Sequence, residues 1–232
     1  VDFKNRRDLV FLILAGMFVS NAILGEVLGG KLIQIGPYIA SLGVLPWPIV
    51  FLTTDLINEY FGKAGVRRLT FLTVGLILYS FVVLFASMQI PAASVSPVTD
   101  EAFNMVYGQS LWIIFGSVIA FVVSQLTDVF VFWMFRNATN GKLLWLRATG
   151  STAVSQLIDT FFVLGIAFWL PGKIDTKSYF NLTFSNYTYK FAIAVCLTPL
   201  IYAAHAAIDK YLGPEADALI AAAAAKEKPA AA

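Results

Sequence analysis

The stretch Thr53-Thr54-Asp55-Leu56-Ile57-Asn58-Glu59 brings a carboxylate, a carboxamide and a second carboxylate to the end of an apolar run that starts at Pro46. On a helix Asp55 and Glu59 are four residues apart and share a face, with Asn58 on the adjoining stripe. A second polar group occurs twice. Val122-Val123-Ser124-Gln125-Leu126-Thr127-Asp128-Val129-Phe130 and Ala153-Val154-Ser155-Gln156-Leu157-Ile158-Asp159-Thr160-Phe161 carry Ser, Gln, Leu and Asp at matching places within apolar segments. Carboxylates accept hydrogen bonds and carboxamides serve either sign, so these residues suit a polar small molecule with several N–H donors. Charged groups at membrane depth are costly, and a chain that keeps them there marks a site.

The elements that must hold these residues follow from composition. Of 232 residues 59% are hydrophobic and 13% charged, and the mean hydropathy is +0.77, well above a soluble domain. An all-α membrane protein is expected, with six transmembrane helices over about 9–28, 44–61, 69–90, 110–135, 148–170 and 187–208. The first run has no small-residue cleavage site and reads as a retained helix. A single domain covers 1–212, and the Ala-rich tail 213–232 reads as disordered and cytoplasmic. The loop Asn137 to Leu146 is short, so the fourth and fifth helices run antiparallel. Their two Ser-Gln-Leu-x-Asp copies are then related by a pseudo-two-fold axis near the membrane plane, an inverted repeat of the kind found in carriers.

Twelve of the sixteen Lys and Arg residues fall on one side of this topology, in the segments around Arg6, Arg67, Arg136 to Arg147, Lys210 and Lys226. Lys31, Lys173, Lys177 and Lys190 fall on the other. The bias places both termini in the cytoplasm. Lys31 to Val44 is too short and broken to span, and reads as an interfacial or re-entrant piece. Asn21, Glu26 and Lys31 admit two readings, a frayed interfacial helix end or the lining of a cavity. Pro199 predicts a kink in the last helix. His205 and Asp209, four apart near its cytoplasmic end, read as interfacial residues in preference to a proton relay.

One Cys and one His exclude an intramolecular disulfide and the usual zinc sets, and no cofactor is expected. No basic stripe points to nucleic acid. Gly75 and Gly116 lie on small-residue faces that permit homo-oligomerisation without requiring it.

Asp55-Leu56-Ile57-Asn58-Glu59-Tyr60-Phe61-Gly62-Lys63, taken with Ser155-Gln156-Leu157-Ile158-Asp159-Thr160, resembles the queuosine-precursor transporter family, which is grouped with vitamin-uptake transporters. The resemblance extends from Leu9 to Leu212. It implies import of 7-deazaguanine precursors, such as the 7-cyano and 7-aminomethyl forms, across a bacterial inner membrane. Asp55, Asn58, Glu59, Gln125, Asp128, Gln156 and Asp159, with Asn21 and Lys31, are the expected substrate-binding set, and Tyr60, Phe130 and Phe161 are candidates to stack on the heterocycle. Protonation of Asp128 or Asp159 offers a route to proton coupling. Two other readings stand beside this one. The chain is the substrate-binding subunit of an ATP-driven uptake complex, whose ATPase must be a partner because no Walker sequence is present. Or it is an intramembrane enzyme using Asp128 and Asp159 as a paired acid and base, although neither aspartate sits in a Gly-x-Gly-Asp sequence.

Overall fold

The computed structural model describes residues 5–29, 31–35, 38–108 and 111–227, so Lys4 and Lys228 of the charge pattern and Gly36-Pro37 lie outside the described residues. The first helix, α1 (Arg6–Leu28), starts at Asn5, whose side chain accepts from the Arg7 amide and satisfies one of the unpaired donors of the first turn. The broken piece that follows is an antiparallel hairpin, β1 (Leu32–Ile35) against β2 (Tyr38–Ser41), with Leu32 opposite Ser41. A 3-10 turn at Leu42–Val44 leads into α2 (Trp47–Ser87). Then come the short α3 (Asp100–Tyr107), α4 (Leu111–Ala138), and α5 (Leu144–Leu164) with a π-helical extension at Gly165–Trp169. The long α6 (Thr176–Leu212) runs on through Pro199 with no residue described as leaving helical geometry, and α7 (Pro214–Glu227) ends the described chain.

Among the described residues five helices, α1, α2, α4, α5 with its extension and α6, are long and apolar enough to cross a membrane. Large side chains such as Ile13, Leu72, Val82, Phe115 and Phe130 stand exposed on their outer faces, as a lipid-facing surface requires. This is a multi-pass membrane protein. The windows expected at 44–61 and 69–90 are consecutive parts of α2, whose 41 residues would extend about 60 Å, twice a hydrocarbon core. Gly62 interrupts it with φ 71° and ψ −178°, leaving a first arm, 47–61, and a second, 63–87. Val66, Leu69, Ile77 and Phe81 of the second arm are buried in the same core as Leu14, Phe18 and Ile57, so both arms pack into one bundle.

The chain reverses between α4 and α5 through Asn140 (φ 49°) and Gly141 (φ 75°), and small residues then let the two helices close. A Cβ at Gly150 would come within 2.9 Å of the Phe135 ring, and one at Gly116 within 3.2 Å of Ile166. Gly116 is thus taken up inside the chain, whereas Gly75 has open space beside it. The bundle has a turn end and a hairpin end. At the turn end Phe11 lies on Phe61 with ring centroids 4.9 Å apart, and Arg6 donates to the Tyr211 carbonyl. At the hairpin end Gly25 faces the Trp47 indole.

The tail differs from expectation. Alanine is the best helix former as well as a common residue of disordered segments, and Ala216, Leu219 and Ala223 recur at helical spacing and are buried. They dock α7 at the turn end, with Ala223 beside Gly62. The last spanning helix begins at Asp175, whose carboxylate accepts from the Ser178 hydroxyl and from the Ser178 and Lys177 amides, bonds that hold it below the usual carboxylate range. That cap stabilises the fold above the unfolded carboxyl pKa and is lost as pH falls through the folded one.

Gly62→Ala is expected to lose about 1–3 kcal/mol, because this backbone region is nearly closed to residues with a Cβ. The added methyl meets Ala223 only at ordinary contact distance, so the loss should appear as a lower unfolding temperature in detergent, and Gly62→Asn should not restore it.

Candidate substrate site

Polar residues of the first arm of α2 and of α4 and α5 are buried in the bundle interior. The two repeat copies bond across to each other: the Ser155 hydroxyl donates to Asp128 Oδ1 at 3.0 Å, and the Ser124 hydroxyl lies 3.5 Å from Asp159 Oδ1. Each serine of one copy thus faces the aspartate of the other, as antiparallel neighbours must. Ser151 and Thr152 also bring hydroxyls to Asp128. Gln125 Nε2 donates to Thr54 Oγ1 at 3.3 Å, joining α4 to the first arm of α2. Asn58 Oδ1 accepts from the Trp133 indole N–H at 2.8 Å.

The carboxylates fall into two kinds. Glu59 is held on both oxygens, by Arg136 at 2.6 Å and by Arg147 at 2.9 Å, with all three side chains buried. Arg147 is itself fixed by donation to the Gly141 carbonyl in the α4–α5 turn. Asp159 pairs with Lys190 of α6 at 2.6 Å in a more open setting, with the two side chains 13% and 23% exposed. Asp55, by contrast, is buried with neither oxygen bonded, and Asp128 Oδ2, Gln156 Oε1 and Asn58 Nδ2 are buried and unpartnered as well. Asp55 and Asp128 lie within electrostatic range of each other. Four free acceptor oxygens and one free donor nitrogen are therefore turned into the interior, where such groups are costly unless something completes them.

A cleft of about 10 Å³ opens at Asp55 between α2, α5 and α6, lined by Phe51, Thr149, Thr152, Ala194, Leu197 and Ile201. That is room for one water at most, so the site is closed in this conformation.

Of the expected set, Asp55 lines this cleft, Asp128 lies within electrostatic range of Asp55, and Asn58, Gln125 and Gln156 are buried on the same helices. Glu59 lies a turn away in its ion pair, and Asp159 lies a turn towards the hairpin end with Lys190. Asn21 spends its amide on the Met17 carbonyl of its own helix, and the Lys31 side chain is exposed. None of the stacking candidates faces the cleft. Phe130 is 65% exposed, Phe161 packs on Tyr179 and Phe184, and Tyr60 bonds to Asp209. Phe51 is the aromatic that lines it. Sequence spacing missed Arg136, Arg147 and Lys190 as partners of the acidic residues, because Arg136 and Arg147 lie at helix ends where a membrane protein carries topological charge, and Lys190 falls near the start of the expected sixth span although α6 begins well before it.

The comparisons agree with a transport site. Residues 41–204 match the family described as "Putative vitamin uptake transporter". The chain belongs to this family. It is similar to a Bacillus subtilis (strain 168) protein named "Probable queuosine precursor transporter", 33% identical over 175 residues that make up 75% of each chain. A Haemophilus influenzae protein of the same name is 28% identical over 165 residues, 68% of this chain and 65% of that one. No solved structure matches. The family and both relatives are named as transporters and not as enzymes, so Asp128 and Asp159 are not read as an acid–base pair.

The two kinds of carboxylate should respond oppositely to neutralisation. Glu59→Gln leaves two buried guanidinium groups facing each other and is expected to cost about 3–5 kcal/mol. Asp55→Asn replaces a carboxyl group that has no partner and should leave the unfolding temperature unchanged or raise it. Thermal unfolding of both variants in one detergent checks the contrast, and equal losses would contradict it.

Proposed function

We propose that this protein imports queuosine precursors, 7-cyano- and 7-aminomethyl-7-deazaguanine, across the inner membrane of a bacterium for salvage into tRNA. The observation that carries this reading is the set of unpartnered groups in the core: acceptors on Asp55, Asp128 and Gln156 beside one donor on Asn58. A deazaguanine edge presents the complement, a ring N–H and an exocyclic amine beside a carbonyl. A carboxylate accepts from the two donors together, and the Asn58 amide is available to the carbonyl. The names of the two relatives support the same substrate class.

In this reading the chain crosses the membrane six times, with the two arms of α2 as separate passes joined at Gly62. Both termini and the α4–α5 turn face the cytoplasm. The reciprocal Ser–Asp bonds between α4 and α5 support an inverted repeat with the substrate near its axis. Glu59 with Arg136 and Arg147 closes the cytoplasmic side and Asp159 with Lys190 the outer side, so Glu59, Asp159, Asn21 and Lys31 shape access while the central residues bind. Importing a heterocycle of this size requires the cleft at Asp55 to open.

Direct binding to purified protein tests this. Wild type should bind both precursors saturably, with guanine as a weaker competitor, and Asp55→Asn should weaken binding by about 10- to 150-fold, the loss of one charge-assisted hydrogen bond of 1.5–3 kcal/mol. Correctly folded wild type that binds neither precursor would overturn the substrate assignment.

A further inference from the structure

Tyr60, His205 and Asp209 form a hydrogen-bonded cluster that the substrate site does not use. The Tyr60 hydroxyl lies 2.6 Å from Asp209 Oδ1 and 2.9 Å from His205 Nδ1. A carboxylate only accepts, so the single phenol proton goes to Asp209. The phenol oxygen must then accept from His205, which puts the imidazole proton on Nδ1 and leaves Nε2 as a bare lone pair. Nε2 is buried and has no partner. The ring is tucked into the bundle: its side chain is 12% exposed, whereas that of Asp209 is 48% exposed.

The cluster lies one helical turn from the cleft along α6, while on α2 Tyr60 is five residues from Asp55. Asp55 lines the cleft on α2 four residues before Glu59, which adjoins Tyr60. Ile201 lines it on α6, four residues before His205. Each step is about 6 Å along a helix axis. A buried carboxyl with both oxygens free thus stands at one end of a short path. A half-exposed carboxylate stands at the other, and between them is an imidazole whose only unused atom is a proton acceptor.

We propose that His205 is the relay that couples transport to proton movement, taking a proton on Nε2 from the Asp55 side and passing one from Nδ1 through Tyr60 to Asp209 and the water beyond. The step balances. Asp55 is beyond direct hydrogen-bond reach of Nε2, so its proton crosses through a water admitted as the cleft opens, and the transfer leaves a carboxylate and an imidazolium. The Nδ1 proton moves to the phenol oxygen as the phenol proton moves to Asp209, and Asp209 releases it. The ring is left with its proton on Nε2 and must turn, bringing Nε2–H to Tyr60, before it can relay again. The groups facing the imidazole fit an intermittent charge: Tyr60 and Glu59 from α2, Asp209 from its own helix and Arg147 from α5, with Asp217 of α7 close to Tyr60. Glu59 is already neutralised by two arginines, which leaves Asp209 as the direct counter-charge.

The coupling rests on the import reading above, but the proton position does not, and the two are tested separately. His205 is the only histidine in the chain, so the full chain carrying a non-histidine tag, labelled with 15N-histidine and placed in lipid nanodiscs, gives the nitrogen signals of one ring. The expected spectrum has the proton on Nδ1 and a bare Nε2, and Tyr60→Phe should shift the proton to Nε2. In proteoliposomes with a gradient of about one pH unit, worth about tenfold in concentration for each proton carried, wild type should concentrate 7-cyano-7-deazaguanine about tenfold. His205→Gln should fall to about onefold while keeping counterflow exchange, which needs no net proton movement. An Nε2–H ring in wild type, full accumulation by His205→Gln, or loss of its counterflow together with accumulation would each overturn the relay. A wild type with the Nδ1–H ring but no counterflow would overturn the substrate reading and leave the proton position standing.

Discussion

The buried ion pair of Glu59 with Arg136 and Arg147 is the constraint on which the site depends. It ties the first arm of α2 to the ends of α4 and α5 that meet at the turn, and Arg147 is fixed in turn by the Gly141 carbonyl. Three charges out of water carry a large desolvation cost, which close geometry and mutual attraction must offset. What the arrangement supplies is position. With Glu59 locked, Asn58 must face Trp133 and Asp55 must sit one turn above, opposite the repeated Ser and Asp residues of α4 and α5. A hydrophobic replacement would pack as well without setting the rotation of α2 about its axis.

Against that locked layer the central residues are under-satisfied. Most polar side chains of the bundle interior bond to a neighbouring helix or back to their own carbonyls, as Thr53, Thr70 and Thr73 do. Asp55 does neither. A folded chain tolerates such groups where a ligand completes them, and the stability withheld there is available for binding. Phe51 and Thr152 give the cleft one apolar and one polar wall, a common lining for small-molecule sites.

Much of this was legible in the sequence, and the failures have physical reasons. Hydropathy showed a helical membrane protein, and the recurrence of Ser-Gln-Leu-x-Asp in 124–128 and 155–159 located the antiparallel pair whose cross-bonds the structure contains. Asp55, Asn58, Gln125, Asp128 and Gln156 were readable because polar groups stand out in an apolar run. Their sorting into free and paired carboxylates was not, since Arg136, Arg147 and Lys190 look the same in sequence whether they sit in headgroups or reach inward. The stacking aromatics failed for a related reason. In a chain this rich in Phe, one-dimensional spacing does not say which face of a helix meets lipid, and Phe130 meets it. Gly62 illustrates the limit at the fold level, because a single glycine in a long apolar helix is ordinary until its backbone angles are known.

The two paired layers on either side of the central residues are unequal, and this bears on how a closed cleft of about 10 Å³ could admit a heterocycle that needs a pocket of about 300 Å³ or more. Separating Glu59 from its arginines exposes charges that are almost wholly buried, at a cost of several kcal/mol. Separating Asp159 from Lys190 costs less. One charge pair is involved, both side chains are already partly exposed, and water can replace each partner as it leaves. Lys190 sits on α6, which also forms one wall of the cleft through Ala194, Leu197 and Ile201, so a shift of α6 loosens that pair and widens the cleft in one movement. The turn end resists such a shift, because α6 is held there by Tyr60 through His205 and Asp209 and by Arg6 through the Tyr211 carbonyl. The conformation described here is therefore poised to open first at the hairpin end, with the Glu59 layer yielding only after the central carboxylates have gained a partner.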